Sequence, residues 1–141
     1  MLCVNTYSQD HIDRCRARVT SYVEAYRAMA AAATDDAAIA AFEPVFFNNL
    51  VLALDTCFTH RSRTIEGKDG NPVNEVRLLC ASLTQHDGLL VADKAIRLRP
   101  ETSVLGYAPG DEIAVSEAGF VRLAEAYFDE MESRFLEPVA V

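Results

Sequence analysis

Apolar residues recur every three or four positions in four long segments, and this spacing constrains the fold more than any other feature. The period is clearest between residues 117 and 136, where the apolar positions are Phe120, Leu123, Ala124, Tyr127, Phe128, Met131 and Phe135. Such spacing places side chains on one face of an α-helix, where neighbouring helices can bury them. Similar stripes predict three more helices, over residues 9–33, 37–60 and 72–86.

Residues with a strong preference for helix ends support these boundaries. Ser8 and Ser116 precede the first and last helical segments, where a serine side chain can accept hydrogen bonds from free backbone N–H groups. Asn71 followed by Pro72 is typical of a helix start. Pro44 lies inside the second segment and lacks a backbone donor, which predicts a kink or a restart there.

Residues 89–115 lose the helical period. Ile96 and Leu98 alternate with two arginines, and residues 112–115 form a second short extended run, with prolines and glycines between the two. We therefore predict a mainly α fold, a four-helix up-and-down bundle with a small β-hairpin or extended insertion between helices 3 and 4. The whole chain, residues 1–141, has the length of a single helical domain. An all-helical array without the β element is the alternative.

The net charge of −8 argues against some partners. Duplex nucleic acid and anionic membrane surfaces call for a basic surface, so we expect no nucleic acid and no membrane among the partners. The charge is uneven, however. Residues 61–99 contain seven basic and five acidic residues, whereas residues 100–141 contain two basic and nine acidic ones.

The compartment is predicted from the N-terminal residues and the cysteines. Residues 1–14 lack the charged and apolar regions of a signal peptide, and no unbroken apolar run approaches the roughly 20 residues that span a bilayer. We therefore expect a cytoplasmic protein with reduced thiols at Cys3, Cys15, Cys57 and Cys80. Arginine outnumbers lysine eleven to two and alanine is abundant, which indicates a GC-rich bacterial genome.

Polar residues are concentrated in residues 60–77, which read HRSRTIEGKDGNPVNEVR. The first turn of the third helix should present unpaired N–H groups and a positive dipole end, which suit a small anionic ligand. Gly67 and Gly70 let the backbone approach a ligand closely. The predicted ligand-binding residues are His60, Arg61, Arg63, Lys68, Asn71, Asn74 and Arg77. The alternatives are a protein contact, or a loop braced by ion pairs such as Arg61–Glu66 or Arg77–Asp69.

Cysteine and histidine also lie near one another in three places, but none matches a known metal-binding spacing. The pairs are Cys57–His60, His11–Cys15 and Cys80–His86. Zinc needs four ligands in a tetrahedron, commonly from paired Cys and His motifs, so we predict no metal and no cofactor. Cys57 with His60 satisfies the general logic of a thiol nucleophile beside a base, although the apolar stripe around Cys57 favours burial.

The second helix is apolar around about half of its circumference, more than one neighbouring helix covers. We therefore expect a homodimer with Phe47, Val51 and Phe58 near its interface. The leading hypothesis is a binding or regulatory domain that takes a small anionic ligand or a protein partner at residues 60–77. The alternatives are a small enzyme with an acid–base or thiol site around His60 and Cys57, and a pure assembly module.

Overall fold

The computed structural model describes residues 3–139, and the secondary structure there is helical. The helices are α1 Gln9–Ala32, α2 Asp36–Asp55, α3 Arg63–Glu66, α4 Pro72–Gln85 and α5 Glu117–Phe135, and a 3₁₀ turn, Thr56–Phe58, follows α2. The prediction of a mainly helical fold is confirmed.

The four long helices pack around a shared core. Neighbours around the bundle are α1 and α2, α2 and α4, α4 and α5, and α5 and α1, while α2 and α5 also meet across the diagonal. The short helix α3 packs against α5. This arrangement is broadly that of a four-helix bundle.

The predicted caps begin three of these helices. Ser8 Oγ accepts a hydrogen bond from His11 N at 3.1 Å, and Ser116 Oγ accepts one from Gly119 N at 3.0 Å. Asn71 Oδ1 accepts hydrogen bonds from the two backbone N–H groups at the start of α4. Because these contacts are local, the sequence pattern is enough to locate them.

Helix α2 lies at the centre of the bundle, against α1, α4 and α5. Phe47, Val51 and Phe58 are completely buried within one chain. The prediction that these three residues lie near a dimer interface is therefore wrong. The three helical neighbours cover only part of the apolar face of this helix, because Phe47, Leu50, Val51 and Leu54 are buried while Phe42 and Val45 are exposed.

The end of α2 also differs from the prediction. The helix was expected to reach residue 60 but ends at Asp55, and the 3₁₀ turn is followed by an extended Thr59. His60 then has φ 60°, the left-handed conformation that reverses the chain direction. Helix α2 is continuous through Pro44, so the predicted restart does not occur.

Residues 89–115 form loops, and the predicted β-hairpin is absent from the residues that the structure describes. One isolated antiparallel bridge, between Leu89 and Glu112, is the nearest approach to it. Backbone N–H groups of this segment are hydrogen-bonded to side chains of the helices instead. The acceptors are Ser82 for Val91, Glu75 for Val104 and Leu105, and Asn48 for Val115. A backbone donor used in this way cannot join a β-ladder.

The stretch Asp36–Phe58 is long and apolar enough to cross a membrane by length and composition, with a mean hydropathy of 1.6. The sequence prediction considered only unbroken apolar runs, whereas this helix owes its hydropathy to apolar residues interrupted by few charges. The core helix of a globular domain meets the same criterion. Four residues of α2 do contribute to the core: Phe47, Leu50, Val51 and Leu54.

The residues before α1 join two distant parts of the chain. Val4 forms a parallel bridge with Arg61, and its N–H donates to the carbonyl of His60 at 2.7 Å. Tyr7 forms a second parallel bridge with Leu136, and its N–H donates to the carbonyl of Phe135 at 2.7 Å. The segment before α1 thus lies against both the loop after α2 and the end of α5.

Candidate functional site

The carboxylate of Glu66, at the end of α3, has no solvent exposure and lies at the centre of the predicted segment. Its Oε1 accepts hydrogen bonds from Arg61 Nε at 2.8 Å and Arg77 Nη2 at 2.6 Å. Its Oε2 accepts from Arg77 Nε at 2.9 Å and Asn74 Nδ2 at 2.8 Å. A buried charge requires such pairing, because burial without it costs several kcal/mol. We call Arg61, Glu66, Asn74 and Arg77 the Glu66 cluster.

The pKa of Glu66 shows which influence prevails in this cluster. Burial alone raises the pKa of a carboxyl group, because it disfavours the charged form. The hydrogen bond from Arg77 and the positive charges of Arg61 and Arg77 outweigh burial, so the pKa of Glu66 lies below its ordinary value. Glu66 is therefore an anion in the folded protein, and it occupies the two arginines that were predicted to bind an external anion.

Two asparagines shape the loop between α3 and α4. Asn71 Nδ2 donates to the carbonyl of Glu66 at 2.8 Å, while its Oδ1 caps α4. Asn74 Nδ2 donates to the carbonyl of Gly67 at 3.0 Å, and its Oδ1 accepts from Gly70 N at 3.0 Å. The first N–H groups of α4 are thus already bonded within the chain. They are not available to a ligand as the sequence suggested.

The seven predicted ligand-binding residues fall into two groups. Four are in or beside the buried network: Arg61, Asn71, Asn74 and Arg77. Three are exposed: His60, Arg63 and Lys68. The proposed Arg61–Glu66 ion pair is confirmed at 2.8 Å. Asp69 pairs with Arg134 at 3.1 Å instead of with Arg77.

Three buried polar atoms beside the Glu66 cluster have no hydrogen-bond partner in the described chain. They are Asp55 Oδ1, Arg61 Nη2 and Tyr127 Oη. Asp55 Oδ1 lies 2.9 Å from Arg61 Nη1 as an ion pair, without hydrogen-bond alignment. Tyr127 is completely buried, and burial raises the pKa of its hydroxyl well above the ordinary value although Arg61 opposes this shift. Tyr127 is therefore a neutral phenol with an unused donor.

An open polar groove borders the loop before α4. One wall is formed by residues 69–72 and the other by Arg97, Arg99 and Thr102, and the volume is about 460 Å³. The walls are joined by a hydrogen bond of 2.9 Å from Arg97 N to the carbonyl of Lys68. We call this cleft the Arg97–Arg99 groove.

Gly70 sets the distance between the two walls. It has φ +87°, a conformation that L side chains rarely adopt. A Cβ atom added at this position would overlap the carbonyl oxygen of Arg97. The close approach of the loop to Arg97 therefore requires glycine at residue 70.

The two groove arginines differ from those of the Glu66 cluster. Arg97 and Arg99 are exposed and form no ion pair with a described residue. Neither arginine is among the predicted ligand-binding residues, although their alternation with Ile96 and Leu98 indicates a shared face. In an extended segment, residues two positions apart point to the same side, so Arg97 and Arg99 share a face while the apolar pair turns inward.

A second polar cluster contains two of the cysteines. Arg18 Nη2 lies 3.7 Å from Cys15 Sγ and 3.7 Å from Cys57 Sγ, and His11 Nε2 lies 3.6 Å from Cys15 Sγ. The burial predicted for Cys57 is confirmed, with an exposure of 5%, and Cys15 is 2% exposed. His11 contacts the thiol of Cys15 and the backbone carbonyl of Cys57, whereas His60 is exposed in the loop.

The other two thiols lie apart from this cluster. Cys80 is half-buried, and Cys3 is exposed. Among residues 3–139, no group of three or more His, Cys, Asp or Glu side chains has an arrangement that could hold a metal ion.

Comparison of the chain with family models, with curated proteins and with solved structures finds no match in any of the three.

Proposed function

We propose that this chain is a cytoplasmic binding domain that takes up a small anionic ligand, carrying a phosphate or carboxylate group, in the Arg97–Arg99 groove. One observation carries the proposal: the groove is lined by two exposed arginines that form no ion pair within the described residues. The anionic ligand is the one predicted from the sequence, but its charged contacts are now Arg97 and Arg99 instead of Arg61 and Arg77.

The chemistry of the groove suits such a ligand. A guanidinium group can donate two parallel hydrogen bonds to a carboxylate or phosphate, which gives both attraction and orientation. The volume of about 460 Å³ lies in the range of small-molecule sites. Asp69, the acidic residue of the groove, is paired with Arg134, so its repulsion of an anion is reduced.

The groove is also held in shape before any ligand arrives. Its α4 wall is fixed by Asn71, whose side chain bonds to the carbonyl of Glu66 and to α4. Its opposite wall is fixed by the contact between Gly70 and Arg97. A preformed site loses little conformational entropy on binding, which favours affinity.

The test is a thermal-shift screen of inorganic phosphate, nucleoside monophosphates and di- and tricarboxylates, followed by calorimetric titration of any ligand that raises the melting temperature. We expect Arg97→Gln and Arg99→Gln each to weaken binding at least tenfold, an amount equal to about 1.4 kcal/mol. The matched control is Arg122→Gln, which removes an exposed arginine from α5 and should leave affinity unchanged.

Two outcomes would contradict the proposal. One is that no anion in the screen raises the melting temperature. The other is that the Arg97 and Arg99 variants bind as tightly as the Arg122 variant. Arg63→Gln distinguishes the groove from the site predicted at residues 60–77. Arg63 is an exposed residue of that segment, so its substitution should weaken binding only if the ligand binds there.

A specific observation also favours self-association as a second function. Met29, Phe42 and Val45 are 39%, 43% and 59% exposed, and Met29 and Phe42 line an apolar groove of about 540 Å³ where α1 meets α2. Monomeric proteins seldom expose several large apolar side chains together, so we propose a homodimer through this surface. It replaces the interface around Phe47, which is buried within one chain.

Sedimentation of the wild-type protein and of Val45→Glu tests the dimer. We expect a wild-type dimer at micromolar concentration and a monomeric variant, because the introduced charge would have to be buried in the interface. Leu89→Glu is the control, since Leu89 is also exposed (46%) but lies in the loops after α4. A wild-type monomer, or equal dissociation by both variants, would contradict this assembly.

A further inference from the structure

Two cysteine thiols from different parts of the chain lie under a single arginine. Cys15 belongs to α1 and Cys57 to the 3₁₀ turn after α2. Arg18 Nη2 lies 3.7 Å from each sulfur atom, so both thiols contact the same guanidinium group. Cys15 Sγ is also 3.9 Å from the carbonyl oxygen of Cys57.

His11 holds the two cysteine-bearing elements together. Its Nε2 lies 2.8 Å from the carbonyl oxygen of Cys57 and 3.6 Å from Cys15 Sγ. The ring packs against Phe58, the residue after Cys57, with 5.4 Å between ring centroids. The separation of the two thiols is therefore fixed by the packing of α1 on the turn.

We propose that Cys15 and Cys57 form a redox-active pair that hydrogen peroxide converts to an intramolecular disulfide, linking α1 to the turn after α2. The proposal is independent of the anion groove. It concerns a covalent modification of the core, and the fold brings its two reacting atoms together.

The reaction proceeds in two balanced steps. In the first, the Cys57 sulfur attacks one oxygen of hydrogen peroxide, the O–O bond breaks, and the products are a sulfenic acid and water. In the second, the Cys15 sulfur attacks the Cys57 sulfur, the S–S bond forms and the S–O bond breaks. The hydroxide that leaves takes the thiol proton from Cys15 as a second water. The two thiols together lose two electrons and the peroxide gains them.

Burial slows the reaction of both thiols, and the approach to them passes Arg18. Burial and the neighbouring Cys57 raise the pKa of Cys15 to about 11, which lowers its fraction of reactive thiolate. Arg18 is exposed, so its guanidinium group reaches both sulfurs from the protein surface. Movement of this one side chain would let a molecule as small as peroxide approach.

The remaining thiols serve as internal comparisons. Burial raises the pKa of Cys80 to about 12, and its Sγ contacts the carbonyl of Val51 at 3.5 Å. Cys3 is exposed, and the hydrogen bond of its thiol goes to Asn5 within its own segment. Within residues 3–139, neither thiol has a hydrogen bond to a second sulfur, so oxidation there should stop at a sulfenic acid or a mixed adduct.

The experiment exposes a Cys3→Ser/Cys80→Ser protein, which retains the pair, to hydrogen peroxide under native conditions. Intact-mass measurement should show the loss of two hydrogen atoms, and peptide mapping should link Cys15 to Cys57. Dithiothreitol should restore the original mass. The oxidised protein should melt at a higher temperature, because the link closes the long loop between residues 15 and 57 and restricts the unfolded chain.

Two controls make the test decisive. In wild-type protein, the Cys15–Cys57 link should form before any product at Cys80. In a Cys15→Ala variant, the Cys57 sulfenic acid should persist and react with dimedone. The proposal is overturned if native protein retains two alkylatable thiols after peroxide treatment. It is equally overturned if the link forms as fast in concentrated guanidinium chloride, where the fold no longer holds the two sulfurs together.

Discussion

The Glu66 cluster and the Arg97–Arg99 groove each contain two arginines, and they differ in whether those arginines are already paired with a carboxylate of the protein. In the cluster, Arg61 and Arg77 surround a buried carboxylate, and their charges are balanced within the fold. In the groove, Arg97 and Arg99 are exposed and form no ion pair in the described part of the chain. A count of basic residues therefore does not locate an anion site, because a buried acid elsewhere decides which arginines remain available.

The largest effect that can break this comparison is removal of the buried carboxylate. Glu66→Gln preserves size but leaves Arg61 and Arg77 without their shared anion, and we expect unfolding free energy to fall by about 3–5 kcal/mol. The control is Glu130→Gln, because Glu130 pairs with Arg134 at 2.7 Å in a partly exposed position. That change should cost about 0–1 kcal/mol. Urea unfolding measures both, and equal losses would show that the cluster is not a buried brace.

The pH dependence of stability is a second, smaller test of whether Glu66 is a buried anion that stabilises the fold. Because the folded pKa of Glu66 is lowered, its stabilisation is present above the ordinary value of 4.5 and is lost as pH falls through the folded pKa. Glu75 behaves oppositely: burial raises its pKa despite hydrogen bonds from two backbone N–H groups. Its contribution is present below 4.5 and is lost as pH rises through the folded pKa.

Melting temperatures between pH 3 and pH 8 test these signs. Glu66→Gln should flatten the acid side of the profile, since the variant no longer has that carboxylate to protonate. Glu75→Gln should instead remove a decline that begins above the ordinary glutamate pKa. If both variants flatten the same side, one of the two assigned directions is wrong.

Gly70→Ala tests the close contact between the loop before α4 and Arg97, which shapes the Arg97–Arg99 groove. Both Gly70 and Gly110 have positive φ, +87° and +93°, but only Gly70 has backbone atoms where a Cβ would lie. Gly110→Ala should therefore cost about 1–2 kcal/mol for its conformation. Gly70→Ala should cost about 1–3 kcal/mol more, because the loop and Arg97 must separate. Equal costs in denaturant unfolding would show that the contact does not constrain the groove.

A smaller change in unfolding free energy is expected at Tyr127, whose buried hydroxyl lies beside the Glu66 cluster. Tyr127→Phe removes a buried donor that forms no hydrogen bond, so unfolding free energy should rise by about 1 kcal/mol. Tyr107→Phe is the control, since Tyr107 Oη accepts from Ala114 N at 3.1 Å and its loss should destabilise by about 0.5–1.5 kcal/mol. Destabilisation by Tyr127→Phe would contradict this, because it would show that the hydroxyl forms a stabilising hydrogen bond in the folded protein.

The smallest effect belongs to the groove itself. Without ligand, Arg97→Gln/Arg99→Gln should change unfolding free energy by less than about 0.5 kcal/mol, as exposed substitutions generally do. Arg61→Gln should cost several kcal/mol, because it leaves Glu66 and Asp55 short of a partner. Chemical unfolding of the two proteins compares them directly. A marked loss in the groove double variant would mean that those arginines brace the fold.

The features that the sequence predicted well depend on local interactions. The caps at Ser8, Asn71 and Ser116 involve residues two or three positions away, so the pattern alone locates them. The β-hairpin prediction failed because N–H groups of its two runs bond to distant residues: Arg97 N donates to the carbonyl of Lys68, and Val115 N donates to Asn48. Those contacts carry no signal in the loop sequence.

The candidate site was predicted only in part, because some of its contacts join residues that are distant in sequence. Residues 60–77 do fold into one polar cluster, but the sequence could not show that Glu66 lies inside it and engages Arg61 and Arg77. The groove was missed because it arises from the tertiary contact of Gly70 with Arg97. The pairing of Cys15 with Cys57 was likewise invisible, since it depends on how α1 packs on the turn.

The bridges of the segment before α1 have a consequence for the order of events during synthesis. Val4 and Tyr7 leave the ribosome before α1, but their backbone partners follow only with residue 61 and residue 136. Helix α1 can form as soon as it emerges, because its hydrogen bonds are local. Tyr7 must wait until α5 has been translated. The segment before α1 is thus synthesised early relative to its partners, and its native pairing is completed only after translation has passed residue 136.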